Sequence, residues 1–150
     1  SHFARVPDVV DTVNIVSRYT DDVICNYWYG KAALGYRNGL RIRVFGTQGS
    51  AEWLQMEPEY LRMADIHGNV SIIDRTAADN TIANQERYCR FKAGHPAGFI
   101  EAFANYYCDL AAALRGEKNE YAVGSDVALE GLAFLEQANK SALAQQKIVF

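Results

Sequence analysis

A short polar interruption between two extended runs constrains the fold of this chain more than any other feature. Residues 38–53 read NGLRIRVFGTQGSAEW. Before the interruption, apolar and cationic residues alternate with a period of two, which is typical of a strand with one apolar and one cationic face. The segment Gly46–Gly49 suits a hairpin turn, in which we expect the glycines to adopt positive φ. The stretch therefore predicts a β-hairpin at the centre of an antiparallel sheet, with Trp53 as its large buried residue.

Four further segments carry strand signals. They are rich in β-branched and aromatic residues, and polar turns separate them. They are residues 8–19, 23–29, 60–66 and 70–74, while residues 30–37 either extend a strand or form an irregular loop. Because strands joined by short connections are antiparallel neighbours, the sequence predicts up to six strands in one antiparallel sheet. We also expect a last short strand at residues 147–150.

The second half of the chain changes to a helical period. Residues 99–114 place six aromatic or leucine side chains on one side, and Gly116 supplies a helix stop. A second helix is expected from about residue 126 to residue 145, capped by Ser125 or Asp126, with a stripe of leucines and alanines. We expect these stripes to face the core. Strands grouped before helices predict an α+β fold, in which helices pack on one face of a large, mostly antiparallel sheet and the other face is open for oligomerisation.

Composition argues against several classes of function. The formal net charge of −3 is not that of a broad basic surface for nucleic acid. No run of about 18 apolar residues is present, so no membrane partner is expected. Three cysteines at wide spacing, without a CxxC or HxxxH pair, predict neither a disulfide framework nor a metal site. Together with the lack of an apolar signal segment, these features lead us to expect a cytoplasmic protein.

Few side chains have the setting of a functional residue. His95 lies in a Gly-Pro loop before a predicted helix, whose positive end favours a neutral imidazole that bonds either a substrate hydroxyl or backbone groups. Lys31, Tyr36 and Asn38 lie between two predicted strands, and they either contact a polyol or carboxylate or are ordinary solvated loop residues. His67 is expected to be a turn residue. The sequence has no phosphate-binding glycine loop and no GxSxG elbow, so it predicts neither dinucleotide binding nor serine-hydrolase chemistry.

Three segments, in this order, resemble the C-terminal domain of the Gfo/Idh/MocA oxidoreductases, the glucose–fructose oxidoreductase and inositol dehydrogenase group. The segments are NGLRIRVFGTQGSAEW, GHPAGFIEAFANYYCDLAAALRG and EGLAFLEQANKSALAQQKIVF. The resemblance runs over residues 10–150. It implies an N-terminal Rossmann domain for NAD or NADP, followed by a large antiparallel sheet whose open face forms the oligomer interface. It also implies hydride transfer between the nicotinamide and a sugar or cyclitol hydroxyl carbon.

The chain lacks the motifs that this resemblance associates with the cofactor and with proton transfer. The dinucleotide glycine motif, the Glu-Lys-Pro motif and the Asp-x-Gly-x-His motif are all missing. We therefore expect residues 1–150 to be a single C-terminal substrate and oligomerisation domain, without a Rossmann domain, a bound cofactor or a catalytic residue. The expected partners are a sugar or polyol, contacted by Lys31, Tyr36, Asn38 and His95, the Rossmann domain of a parent protein, and a second copy. The alternatives are a stand-alone small-molecule-binding or scaffold domain, and a cystatin-like or NTF2-like pocket protein.

Overall fold

The computed structural model describes residues 10–92, 94–95 and 98–149, and this part of the chain contains six strands and two helices. The strands are β1 (Thr12–Arg18), β2 (Ile24–Gly30), β3 (Arg41–Gly46), β4 (Gly49–Leu54), β5 (Tyr60–Asp65) and β6 (Val70–Asp74). The helices are α1 (Phe99–Leu114) and α2 (Ser125–Ala144). The predicted α+β class is confirmed. Within the described residues, neither helix has the combination of length and apolar character that crossing a membrane requires.

The chain divides into two compact units. The first unit comprises Ser1–Arg37 and Gly124–Phe150, and the second comprises Asn38–Val123. In the first unit, β1 and β2 form an antiparallel ribbon. The ring of Tyr27 on β2 meets the ring of Phe134 on α2 edge to face, with centroids 5.6 Å apart. This contact joins α2 to the face of the ribbon on which Tyr27 lies.

The second unit contains a four-stranded antiparallel sheet in the order β3-β4-β5-β6. Directly opposed residues of an antiparallel ladder lie on the same face. The side that we name the apolar sheet face carries the rows Ile42–Trp53–Leu61–Ile73 and Val44–Ala51–Met63–Ser71. The opposite face carries the rows Arg43–Glu52–Arg62–Ile72 and Phe45–Ser50–Ala64–Val70. On β3 the predicted division into an apolar face and a cationic face with Arg41 and Arg43 is therefore confirmed. Trp53 is only half-buried, so the expectation that it is a buried residue is wrong; its indole N–H donates to the carbonyl of Pro58 at 3.2 Å.

The two glycines of the central hairpin have a different role from the one expected. Gly46 and Gly49 pair across the hairpin, and neither of them has a positive φ, so that expectation is wrong. A Cβ at Gly49 would overlap the backbone carbonyl of Ala64 on β5, whereas a Cβ at Gly46 would meet only the Gly49 carbonyl at an ordinary 3.7 Å. Glycine is thus required at position 49 because no Cβ fits between β4 and β5, and not because the backbone is left-handed.

The predicted single ladder is interrupted after β2, so the six strands form a two-stranded and a four-stranded sheet. Of residues 30–37, which the sequence left open as strand or loop, Gly30 ends β2 and the rest are irregular, as is the chain up to residue 40. Gly35 has φ of 88° and Asn38 has φ of 41°. Both values lie in the left-handed region, which does not continue an extended strand.

Three smaller predictions fail at the ends of elements. Residues 147–149 are not in a strand, because no described residue pairs with them, and Phe150 lies outside the described residues. The N-cap of α2 is Gly124 without a side-chain cap, and not Ser125 or Asp126. The first strand begins at Thr12, and residues 8–9 lie outside the described part of the chain. In contrast, Gly116 has φ of 77° after α1, as a helix stop requires.

The apolar stripes of both helices are exposed, so the expectation that they form the core is wrong. Among the described residues no hydrophobic side chain is fully buried, and the buried residues are Asp11 and Asp109. The exposed stripe of α1 consists of Phe99, Phe103, Tyr106, Tyr107, Leu110 and Leu114, and that of α2 includes Leu129, Leu132 and Leu135. An amphipathic helix buries its stripe only where a second surface covers it. The half-buried side of α2 lies instead around Phe134 and Ala138.

Candidate functional site

Two of the four predicted substrate contacts, Lys31 and Tyr36, lie in the first unit. The backbone N–H of Lys31 donates to the carbonyl of Asp11 at 2.8 Å, while its side chain is exposed. The ring of Tyr36 meets the ring of Trp28 edge to face, with centroids 6.0 Å apart and an interplanar angle of 84°. Trp28 and Tyr36 remain 57% and 72% exposed. The loop after β2 thus presents the ammonium group of Lys31 to solvent, and also the phenol of Tyr36, which lies beside the indole of Trp28.

The other two predicted contacts, Asn38 and His95, lie in the second unit. Asn38 has a left-handed backbone, and its carbonyl accepts the N–H of Leu40 at 3.1 Å. His95 is exposed, its backbone N–H donates to the carbonyl of Lys92 at 3.1 Å, and its Nδ1 lies 3.2 Å from the same oxygen. His67 lies in the turn after β5, where its N–H donates to the carboxylate of Asp65 at 2.8 Å. Each unit therefore contains one pair of the candidate residues.

A polar network joins the middle of α1 to the loop that precedes it. Arg87 donates from Nη1 and Nη2 to the two carboxylate oxygens of Asp109, at 3.2 and 2.8 Å. Asn105, one helical turn earlier, donates from Nδ2 to the carbonyl of Arg87 at 2.9 Å and accepts from Nη2 of Arg90 at 2.9 Å. Asn119 donates from Nδ2 to Oδ1 of Asp109 at 3.1 Å. We name these five residues the α1 network.

A small cavity of about 300 Å³ lies beside the α1 network. Its lining consists of Arg87, Asp109, Lys118, Asn119, Glu120 and Tyr121. The guanidinium carbon of Arg87 lies 3.9 Å from the centre of the Tyr121 ring, as in a cation–π contact. Most of these polar groups bond one another, although Arg87 Nε is buried without a hydrogen-bond partner among the described residues. These contacts therefore connect α1 to the loop that precedes it.

Hydrogen bonds within the α1 network shift the pKa values of Asp109 and Arg87. The Arg87 guanidinium and then the Asn119 amide bond the carboxylate of Asp109 and hold its pKa below the ordinary value. In turn, the bond to Asp109 raises the pKa of Arg87. The side chains of Arg87 and Asp109 are 24% and 11% exposed. A carboxylate with a lowered pKa in the folded state stabilises the fold above its unfolded pKa, and this stabilisation is lost as the pH falls through the folded pKa.

We therefore expect the second unit to lose stability below about pH 4, the usual range of aspartate, and to lose less of it in Asp109→Asn. The variant starts less stable at neutral pH because the ion pair is gone, but its stability falls less steeply with acid.

The chain has two tryptophans, one in each unit, so Trp28→Phe leaves Trp53 as the reporter of the second unit. Urea midpoints from Trp53 fluorescence between neutral pH and pH 3 give the slope. The control is Glu136→Gln, which removes the exposed pair with Lys140 in the first unit. Equal acid slopes for the wild type and Asp109→Asn contradict the prediction.

A second ion pair anchors the same loop to the sheet. Arg75 follows β6 and donates from Nε to Oε2 of Glu59 at 2.8 Å. Its Nη1 donates to the carbonyl of Tyr88 at 2.7 Å and lies 3.6 Å from Sγ of Cys89. The Arg75 side chain is only 11% exposed. The segment Arg87–Arg90 is therefore held on one side by Arg75 and on the other by α1.

Sequence reasoning missed Arg75, Arg87 and Asp109. The one signal that pointed to them was Asp109 itself, a carboxylate inside the apolar helical run FANYYCDLAAAL. A charge in such a run requires a partner, since an unpaired buried carboxylate is costly. Its partner is 22 residues away in an irregular loop, where no periodicity identifies it.

The chain is similar to several oxidoreductases, although no protein-family model matches it. It is 24% identical over 149 residues to the uncharacterized oxidoreductase YfiI of Bacillus subtilis, a match that covers 93% of this chain and 37% of that protein. The structure of an oxidoreductase from Sinorhizobium meliloti has a TM-score of 0.87 at 25% identity, over 100% of this chain and 44% of the other. The structure of an inositol dehydrogenase homologue from Azotobacter vinelandii, complexed with NADH and myo-inositol, has a TM-score of 0.63 at 28% identity. This match covers 71% of this chain and 29% of the homologue.

The resemblance to the Gfo/Idh/MocA oxidoreductases is confirmed. The chain spans less than half the length of each of these relatives. Among the described residues no group of three or more histidine, cysteine, aspartate or glutamate side chains is placed to hold a metal ion.

Proposed function

We propose that this chain is the substrate-binding and assembly domain of an NAD(P)-dependent oxidoreductase that acts on a hydroxyl or carbonyl carbon of a sugar or cyclitol. The observation that carries the proposal is the likeness to the inositol dehydrogenase homologue complexed with NADH and myo-inositol. The chain spans 29% of that protein, so in this proposal the cofactor lies on a Rossmann domain of the parent protein. Nicotinamide bound there supplies the hydride chemistry, and this chain binds and orients the substrate.

The exposed apolar surfaces support the assembly part of the proposal. The stripes of α1 and α2 expose large apolar side chains, and on the apolar sheet face Ile42, Val44 and Met63 are exposed. Such patches mark surfaces that bind another protein or domain. In the proposal, the helices meet the rest of the parent protein and the apolar sheet face meets a second copy.

The substrate contacts in the proposal are Lys31, Tyr36, Asn38 and His95. Lys31 and Tyr36 offer an ammonium and a phenol in the first unit, and Asn38 and His95 offer an amide and an imidazole in the second unit. Each hydroxyl of a polyol both donates and accepts, so groups of these kinds suit a polyol. All four residues are exposed.

We expect His95→Ala to weaken binding of myo-inositol at least about fivefold, the loss of about one hydrogen bond. Saturation-transfer NMR on the purified chain measures the dissociation constant. The matched control is His67→Ala, since His67 is also an exposed histidine in a turn, and it should leave the constant unchanged. The chain should not bind NAD(P)H, as followed by nucleotide fluorescence. Micromolar NAD(P)H binding by this chain, or equal effects of the two histidine variants, contradicts the proposal.

We also expect the chain to dimerise through the apolar sheet face at high micromolar concentration. Val44, which is 61% exposed, lies on that face, so Val44→Lys should shift the molar mass from static light scattering towards the monomer. Ile72 is 69% exposed on the opposite face, in register with Arg62, and Ile72→Lys is the matched control. A wild-type chain that is monomeric at these concentrations, or a dimer that Ile72→Lys disrupts as strongly, rejects this interface.

A further inference from the structure

The turn that carries His95 determines which ring nitrogen of this histidine carries the proton. Its Nδ1 lies 3.2 Å from the backbone carbonyl oxygen of Lys92. A carbonyl oxygen only accepts hydrogen bonds, so Nδ1 carries the proton of the neutral ring and Nε2 carries the lone pair. The exposed edge of the imidazole is then an acceptor. It suits the hydrogen of a substrate hydroxyl.

The position of the Lys92 carbonyl depends on the segment just before it. Asn105 bonds both ends of Arg87–Arg90, since its Nδ2 donates to the Arg87 carbonyl at 2.9 Å and its Oδ1 accepts from Nη2 of Arg90 at 2.9 Å and from Nε at 3.3 Å. Arg90 is two residues from Lys92. A single amide on α1 thereby holds both ends of Arg87–Arg90, and this segment ends two residues before Lys92.

Other contacts also hold the segment Arg87–Arg90 in place. Asp109 lies four residues after Asn105, so both side chains emerge from one face of α1. Asp109 holds the guanidinium of Arg87 through two hydrogen bonds, and Arg75 holds the carbonyl of Tyr88 at 2.7 Å. The segment therefore has side-chain partners at three successive points, on α1 and after β6.

We propose that Asn105 is a positioning residue that fixes the turn in which His95 presents Nε2 as the acceptor for a polyol hydroxyl. The proposal rests on the proposed substrate role of His95, and it adds the tautomer and the residue that sets it. Asn105 does not touch the substrate. Its effect passes through Arg87, Arg90 and the Lys92 carbonyl.

The test is the tautomer of His95, read from long-range ¹H–¹⁵N NMR spectra of the ¹⁵N-labelled chain above the titration range of histidine. The chain has three histidines, and His95→Gln assigns the signals of His95. We expect the Nδ1–H tautomer in the wild type. In Asn105→Leu we expect a shift towards the Nε2–H form. We also expect at least about fivefold weaker binding of myo-inositol, because the polyol then loses the hydrogen bond that its hydroxyl donates to Nε2 of His95. The matched control Asn139→Leu makes the same exchange at an exposed helical site in the first unit and should change neither quantity.

The outcomes separate this inference from the proposed function. If the wild type binds myo-inositol and Asn105→Leu leaves both the tautomer and the affinity unchanged, the positioning role is overturned. If the wild type binds no polyol, the substrate role of His95 fails, and the tautomer in Asn105→Leu still decides whether Asn105 sets the turn. Should Asn105→Leu fail to fold, Asn105→Asp keeps an acceptor for Arg90 and replaces the donor to the Arg87 carbonyl by a carboxylate oxygen, which cannot donate. An unchanged tautomer in that variant also overturns the proposal.

Discussion

Replacement of Arg75 by Met is expected to lower the free energy of unfolding of the second unit by about 3 kcal/mol. Methionine keeps much of the apolar volume but provides no donor. Glu59, whose side chain is 23% exposed, loses its guanidinium partner, and the carbonyl of Tyr88 loses a donor at 2.7 Å. Removing one partner of a largely buried ion pair is costly because the remaining charge stays desolvated.

Urea unfolding measures this effect, with Trp53 fluorescence as the reporter in a Trp28→Phe background. The control is Arg41→Met on the cationic face of the sheet, because Arg41 is exposed and forms no ion pair with another described residue. A surface exchange of this kind changes stability by about 0.5 kcal/mol or less. If the two variants unfold at the same urea concentration, Arg75 does not anchor the loop.

The exchange Gly49→Ala is expected to destabilise the second unit by about 2 kcal/mol, the usual cost of inserting a methyl group where the structure has no room. The new Cβ overlaps the carbonyl of Ala64, which is backbone and not a flexible side chain. The strands β4 and β5 must therefore move apart where Ser50 pairs with Ala64. The β4–β5 ladder should lose amide protection from hydrogen exchange at this end.

The matched control is Gly46→Ala, directly opposite in the same hairpin. Its Cβ meets only the carbonyl of Gly49, at 3.7 Å, and its φ is not positive. It should therefore be neutral or slightly stabilising, since alanine restricts the unfolded chain more than glycine does. A Gly46→Ala variant that is as unstable as Gly49→Ala indicates that the hairpin requires glycine for its backbone conformation after all.

The parts of the fold that depend on local pattern could be predicted from the sequence. The period of two in residues 40–45 identified β3 and its two faces, and the 3.6-residue period of residues 99–114 identified α1. The role of Gly49 could not be predicted, because it depends on the distance to a neighbouring strand. The exposure of the helix stripes could not be predicted either, because periodicity shows which side is apolar and not what covers it.

The α1 network was beyond sequence reasoning for a related reason. Its bonds join Arg87 and Arg90 in an irregular loop to Asn105 and Asp109 on a helix, and such pairs have no fixed spacing. The four predicted contacts were chosen from local context and remain predictions. The resemblance carried by three segments added what local rules lacked, namely the class of protein in which these elements occur together.

The most direct test of the account is the size of the native protein. An antibody raised against this chain is used to blot a lysate of the source cells. The account predicts a band on the order of 40 kDa, since the chain spans 37% of its curated relative and a cofactor domain must be added to the 16.7 kDa of this chain. A band at 16.7 kDa contradicts the account, because the domain then acts without a cofactor half and the binding or scaffold function takes its place.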